Sequence, residues 1–204
     1  MDRLKPTFQL RGFEIFKELL NPETQQSMIE DLRIITQTAP VFSPTTPHGA
    51  SMSVRMTSAG KFGWFSDADG YRYIEHHPSG TEWPEIPTRI LDVWSAVSRI
   101  TQKPESCLIN FYGEGAQMGM HRDKDEADMR WPVVSISLGD DGLFRMGGST
   151  RGDTTEKIWL SSGDVVVMGG AARNSYHGVD KIRFKSSRLL PKGGRVNVTL
   201  RVVS

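Results

Sequence analysis

Three residues give the first chemical signal: His121 and Asp123, spaced H-x-D within NFYGEGAQMGMHRDKD (Asn110 to Asp125), and the later His177. In an extended segment residues i and i+2 project to one side, so an imidazole and a carboxylate at this spacing can meet one ion. A second imidazole from a distant strand would complete a three-point face. Two histidines and one carboxylate on one side of an ion leave the opposite positions open, which suits non-haem Fe(II) and dioxygen chemistry. H-x-D by itself is common by chance, so the rest of the chain has to support the site.

The segments that must position such a site read as strands. In CLINFY, Leu108, Asn110 and Tyr112 share one face and Cys107, Ile109 and Phe111 the other. In RVNVTLR, Arg195, Asn197, Thr199 and Arg201 face one way and Val196, Val198 and Leu200 the other. Any half-exposed strand produces this alternation. If both polar faces look into one barrel, they bring Asn110, Tyr112, Arg195, Asn197 and Arg201 beside the metal. Guanidinium groups grip carboxylates in a fork geometry, so that pocket would take an anion, such as a dicarboxylate bridging metal and arginine.

Further short strands are expected at Val133–Leu138, Leu143–Gly148, Lys157–Leu160, Val165–Met168, Ser175–Val179 and Arg195–Val203, broken by Gly and Asp turns. Many short strands at close spacing imply a sandwich or barrel, and a jelly roll is the economical choice. Before them, Asn21 as N-cap and Pro22 at the first helical position open a helix that Pro40 stops. A second amphipathic helix is expected from Pro87 to about Ile100, with a short strand around Ser51–Thr57.

In GWFSDADGYRY, Trp64 and Tyr71 flank a polar turn, where they could stack on a planar ligand or pack as a small cluster under a hairpin. His48, His76 and His77 read as loop residues; adjacent histidines on a strand would face opposite sides.

Composition sets the limits. The chain has 204 residues, 37% hydrophobic and 24% charged, enough for one sizeable core. The formal net charge of +1 gives no global pull on polyanions, but Ala171–Ser204 holds eight basic residues against Asp180 alone. That surplus could hold phosphates or be a solvated loop. The lone Cys107 excludes an internal disulfide and fits a reducing compartment. No signal-peptide core or membrane-spanning stretch is seen, so a soluble cytoplasmic protein is expected, acting as a monomer.

Taken in order, L-I-N-F-Y, H-R-D-K-D-E, V-S-x-S-L-G, M-G-G, G-D-V-V-V-M-G-G, Y-H-G and R-V-N-V-T-L-R resemble AlkB, the family of Fe(II)- and 2-oxoglutarate-dependent dioxygenases that remove alkyl groups from nucleic acid bases. The resemblance runs from about Ser51 to Arg201 and is tightest from Leu108 onward. It implies a mainly β fold with flanking helices, a double-stranded β-helix (jelly roll) carrying an N-terminal nucleotide-recognition lid. Residues 1–86 would form the extension and lid and 87–204 the catalytic core, within one structural domain.

By the same resemblance His121, Asp123 and His177 bind iron. Asn110, Tyr112, Arg195, Asn197 and Arg201 bind 2-oxoglutarate or support the site, with Arg195 the partner of the carboxylate far from the metal. Trp64 and Tyr71 match the lid over the substrate nucleotide, Trp64 stacking the base against His121. Asp125 would accept from the base's exocyclic amino group, and Arg151 would lie near the substrate strand, in reach of phosphate. The implied substrate is alkylated DNA, single- or double-stranded, or RNA, with bases of the 1-methyladenine and 3-methylcytosine type.

Such a base is cationic, so an aromatic face and a carboxylate favour it over the neutral base. Met168 and Phe111 depart from the best-known member, at positions where it has a tryptophan and a basic residue; Phe111 should face away from the pocket. Two other readings are an oxygenase of the same chemistry acting on a protein or small molecule, and a non-enzymatic jelly-roll binding module whose His and Asp hold a structural ion.

Overall fold

The Asn21 side chain accepts from the Thr24 amide at 2.8 Å, capping helix α1 (Pro22–Thr38), which runs almost to Pro40 as the sequence suggests. Helix α2 is shorter than expected and spans Thr88–Val97, because Arg99 takes a left-handed φ of 60° that no helix can continue through. The computed structural model describes residues 4–204; of the expected extension, residues 1–3 lie outside the described residues.

Among the described residues, thirteen strands carry the fold. The first two, β1 (Phe8–Leu10) and β2 (Phe13–Phe16), were not legible in the sequence. They are three and four residues long, too short to display an alternation. Next come β3 (Arg55–Gly60), β4 (Gly63–Asp67), β5 (Gly70–Ile74), β6 (Ser106–Tyr112) and β7 (Met118–His121). The strand expected at Ser51–Thr57 is thus displaced to β3, where its register is fixed by pairing with β6. The remainder are β8 (Val133–Gly139), β9 (Asp141–Met146), β10 (Glu156–Leu160), β11 (Val165–Met168), β12 (His177–Arg183) and β13 (Arg195–Arg201).

These strands form a seven-stranded sheet in the order β1-β2-β11-β8-β13-β6-β3, a four-stranded sheet in the order β10-β9-β12-β7, and the separate hairpin β4-β5. The architecture is the jelly roll with flanking helices. The larger sheet draws β1, β2 and β3 from the segment before Pro87 and its central strands from the segment after it.

Alternation sorts the side chains of the larger sheet into two cores. On one face Ile109, Ile136, Val167, Val198 and Leu200 pack against Met28, Leu32, Ile35, Ile90 and Trp94 of the two helices. On the other, Phe13, Ile15, Val166 and Met168 meet Phe144, Met146, Leu160 and Val179 of the smaller sheet. Each fully buried aliphatic or aromatic side chain contributes about 1.5–3 kcal/mol, so the two cores fix the spacing of the sheets. Phe111 packs on the helix side, away from the interior, as expected. Where the hydrophobic filling between the sheets stops, polar residues line a cavity of about 590 Å³.

Candidate active site

The metal triad is assembled by one strand pairing. In the antiparallel pair β12–β7, His177 lies directly opposite His121, and their ring centroids are 4.5 Å apart. Asp123 follows two residues beyond His121, just past the end of β7. Ligand atoms of the three residues all lie within 4.8 Å of one another. Gly178 makes the close pairing possible, since a Cβ there would sit 2.6 Å from the Met118 carbonyl oxygen.

Backbone carbonyls orient both imidazoles. Nδ1 of His121 lies 2.9 Å from the Gly119 oxygen and Nδ1 of His177 3.2 Å from the Ser175 oxygen. A carbonyl only accepts, so each Nδ1 carries the proton and each Nε2 keeps its lone pair for a metal. Burial, reinforced by His121, pulls the His177 imidazole down to about 4 against the opposing effect of Asp123, which keeps it neutral near pH 7.

Burial would raise the Asp123 carboxyl. Arg201 and the two imidazoles outweigh it and hold the group well below the usual carboxylate range. Arg201 Nη2 donates to Asp123 Oδ2 at 2.8 Å, fixing one oxygen, while Oδ1 lies 3.8 Å from His121 Nε2.

Beneath the triad is a buried charge network that the sequence reading did not foresee. Arg201 Nε lies 3.2 Å from Glu126 Oε1, and Arg173 Nη2 donates to Glu126 Oε2 at 2.8 Å. Arg173 Nη1 also donates to the Asp123 carbonyl at 2.7 Å. Tyr73 of β5 donates its hydroxyl to Glu126. Two arginines and two carboxylates thus neutralise one another in a dry environment, as buried charges must. Glu126 stood in the quoted H-R-D-K-D-E without a role, and nothing in its spacing marks it.

The same finding corrects the basic stretch. Of its eight cations, Arg173, Arg195 and Arg201 are interior, so the surface surplus is smaller than the sequence count.

One end of the cavity is built on β6, β8 and β13. Asn110, Tyr112, Arg195, Asn197 and Arg201 all line it, together with Met168. Arg195 is held by Ser137 Oγ at 2.7 Å and by the carbonyls of Leu160 and Asp140 at 3.1 and 3.2 Å. Gly142 leaves room for it, because a Cβ there would come within 2.9 Å of Arg195 Nε. Asn197 is engaged internally, donating to Ser135 Oγ at 2.7 Å and accepting from Thr199 at 3.0 Å, so it braces the strand pair. Burial pushes the Tyr112 hydroxyl up to about 12, so it stays protonated and able to donate.

Three buried polar atoms here lack any hydrogen-bond partner: Asn110 Oδ1, Arg195 Nε and Arg201 Nη1. Leaving such groups unpaired costs about 1–3 kcal/mol each, which a bound polar ligand would recover. Two unpaired guanidinium nitrogens beside three metal-ligating groups fit an organic acid and a divalent metal.

The mouth of the cavity is formed by the hairpin β4–β5. Trp64 and Tyr71 lie on it with ring centroids 5.5 Å apart and planes 19° from parallel, and Tyr71 is exposed. Trp64 Nε1 donates to Asp125 Oδ2 at 3.0 Å, tying the hairpin to the segment that carries the metal ligands. Arg151 also lines the cavity, its guanidinium 5.4 Å from the Tyr176 ring centroid. His48 and His76 are loop residues outside the cavity lining, as expected. His77 is also in a loop but buried, bonded to Ser79 and to the Pro40 carbonyl.

Comparison with known proteins agrees with this geometry. A family model described as the 2OG-Fe(II) oxygenase superfamily matches residues 12–201. An alpha-ketoglutarate-dependent dioxygenase AlkB homolog of Caulobacter vibrioides is 46% identical over 198 residues, covering 97% of this chain and 90% of that protein. The alpha-ketoglutarate-dependent dioxygenase AlkB of Salmonella typhimurium is 39% identical over 163 residues, covering 78% and 76%. The solved structure of OsALKBH1 superposes with a TM-score of 0.81 at 28% identity, covering 96% of this chain and 99% of that one.

Proposed function

The chain belongs to the 2OG-Fe(II) oxygenase superfamily and, within it, to the AlkB dioxygenases, and from that premise we propose how its residues carry out oxidative demethylation of N-alkylated nucleic acid bases. It is an Fe(II)- and 2-oxoglutarate-dependent dioxygenase. The substrates are bases of the 1-methyladenine and 3-methylcytosine type in DNA, with RNA as a second polymer, and the protein acts as a monomer. The observation that carries the reading is one cavity holding the His121, Asp123 and His177 cluster, unpaired arginine nitrogens and an aromatic hairpin at its mouth.

His121, Asp123 and His177 would hold Fe(II). Arg195 would take the far carboxylate of 2-oxoglutarate, with Asn110 and Tyr112 beside it, while Arg201 fixes Asp123 and would offer its unpaired Nη1 to the cosubstrate. With both bound, the site would supply oxidative chemistry toward a C–H bond, dioxygen being reduced as 2-oxoglutarate is converted to succinate and carbon dioxide. Hydroxylation of the N-methyl carbon gives a hemiaminal, whose C–N bond breaks to release formaldehyde and the repaired base.

The protein's contribution is position and electrostatics. Trp64 and Tyr71 offer flat faces to a base taken out of its stack, and a cationic alkylated base gains from both the ring faces and the Asp125 carboxylate. Asp125 has one oxygen occupied by Trp64 Nε1, which leaves the other to accept from an exocyclic amino group.

The test is incubation with Fe(II), 2-oxoglutarate and oligonucleotides carrying 1-methyladenine or 3-methylcytosine, single- and double-stranded, as DNA and as RNA. Mass spectrometry should show loss of one methyl group per lesion together with formaldehyde and succinate. The variant His121→Ala should lose this activity while keeping the fold. Full activity in that variant overturns the metal assignment. Turnover of 2-oxoglutarate without any change in the oligonucleotides would point to a protein or small-molecule substrate.

A further inference from the structure

Asp140, at the junction of β8 and β9, is fully buried and takes no part in the cavity lining, yet it holds both ends of Arg195. Its carboxylate accepts from three main-chain amides: Oδ2 from Gly194 at 2.6 Å and from Lys185 at 2.8 Å, and Oδ1 from Ser187 at 2.9 Å. Its own amide donates to the Gly194 carbonyl at 2.8 Å. Its carbonyl accepts from Arg195 Nη1 at 3.2 Å. One residue thus grips the chain just before Arg195 and the guanidinium at the far end of that side chain.

The backbone is shaped for this grip. Gly139 and Gly194 take φ values of 84° and 102°, and a Cβ on Gly139 would sit 2.6 Å from the Gly194 carbonyl oxygen. Lys185 and Ser187 belong to the connection from β12, which opens with His177, to β13, which opens with Arg195. Backbone entropy favours fraying at such a strand end, and three hydrogen bonds converging on one carboxylate oppose it. All three donors are N–H groups, so an acid serves here and an amide would turn its own N–H against one of them. Arg195 keeps Nε unpaired while Nη1 and Nη2 are held by Leu160, Asp140 and Ser137. A guanidinium recognises a carboxylate through a fixed fork, so its aim decides what it can bind.

We propose that Asp140 is a positioning residue for 2-oxoglutarate, setting the Arg195 fork before the ligand arrives. This rests on the cosubstrate role given to Arg195 above. Asp140 touches neither ligand nor metal and acts through the chain it ties. A binding group already in place costs no ordering when the ligand enters, so losing the tie weakens the grip on the far carboxylate in particular.

The test is anaerobic calorimetry of the Fe(II)-loaded protein with 2-oxoglutarate and with 2-oxopentanoate, which has the same chain length and lacks the far carboxylate. Wild-type protein should prefer 2-oxoglutarate. Asp140→Asn should cut that preference about tenfold or more, the measure of one hydrogen bond to a charged group, while the affinities for 2-oxopentanoate and Fe(II) stay as they were. On an Arg195→Met background, Asp140→Asn should remove no further preference. Melting curves check that each variant is folded. Amide hydrogen exchange of the wild-type protein without any keto acid gives a second measurement that needs no variant: Gly194 and Ser187 should already be protected.

An unchanged preference in folded Asp140→Asn overturns the proposal and leaves the cosubstrate reading standing. An equal loss of affinity for both keto acids also overturns it, because the residue would then support the fold without aiming Arg195. Free exchange of the Gly194 and Ser187 amides overturns it whether or not the variant folds. Wild-type protein that binds both keto acids alike overturns the cosubstrate reading itself, and the proposal with it.

Discussion

Arg201 is the residue on which the metal site depends most. It is buried, it holds one oxygen of Asp123, and it also meets Glu126. Removing one partner of a buried ion pair costs about 3–5 kcal/mol, because the other charge is left uncompensated. We therefore expect Arg201→Met to lower the melting temperature sharply and to weaken Fe(II) binding, both measurable without turnover. An unchanged melting curve would mean that Asp123 does not need its guanidinium partner. At the opposite extreme lies Cys107. Burial pushes its thiol up to about 12, so almost no nucleophilic thiolate exists at pH 8. Iodoacetamide should leave it unmodified in the native protein and alkylate it on unfolding; rapid native labelling would contradict its buried position.

Among the elements, the hairpin β4–β5 has the clearest division of labour. Its outer rings, Trp64 and Tyr71, face the mouth, while Tyr73 reaches inward to Glu126 and Trp64 Nε1 reaches Asp125. Two side-chain hydrogen bonds thus connect the lid to the segment just after the metal ligands. Hydrogen bonds to charged groups contribute about 1.5–3 kcal/mol. Tyr73→Phe should lower stability by a similar amount and raise the KM for an alkylated oligonucleotide, with a smaller change in kcat. Equal loss in both kinetic constants would show that the lid and the iron ligands are not linked in this way. Helix α1 offers a control far from the site: Asn21→Ala should cost about 1 kcal/mol through its lost cap. For a chain of this size that is about 2–4 °C in Tm.

For the whole molecule, the unpaired Asn110, Arg195 and Arg201 atoms imply that the folded protein is less stable empty than loaded. A ligand at 100 times its Kd adds about 2.7 kcal/mol if it binds only the folded state. Adding Fe(II) and 2-oxoglutarate without oxygen should raise Tm in two steps, and Arg195→Met should abolish the 2-oxoglutarate step while retaining the metal step. A two-step rise in that variant would remove Arg195 from the cosubstrate site. No helix among the described residues is long and apolar enough to cross a membrane.

Period and spacing were enough to place much of this protein on paper. The alternation in β6 and β13 separates the cavity face from the helix face, because successive side chains on a strand point to opposite sides. The ordered motifs carried the family, and the residues they singled out include the His121, Asp123 and His177 that the fold brings together. Four things waited for the tertiary structure: the strands β1, β2 and β7, the true start of β3, the interior placement of Arg173, and the Glu126 network. Very short strands have no period to read, and they exist only because a neighbouring strand supplies their hydrogen bonds. A charged side chain is written the same way whether it meets water or a buried partner, and only the folded chain brings Arg173 and Arg201 to Glu126 across dozens of residues.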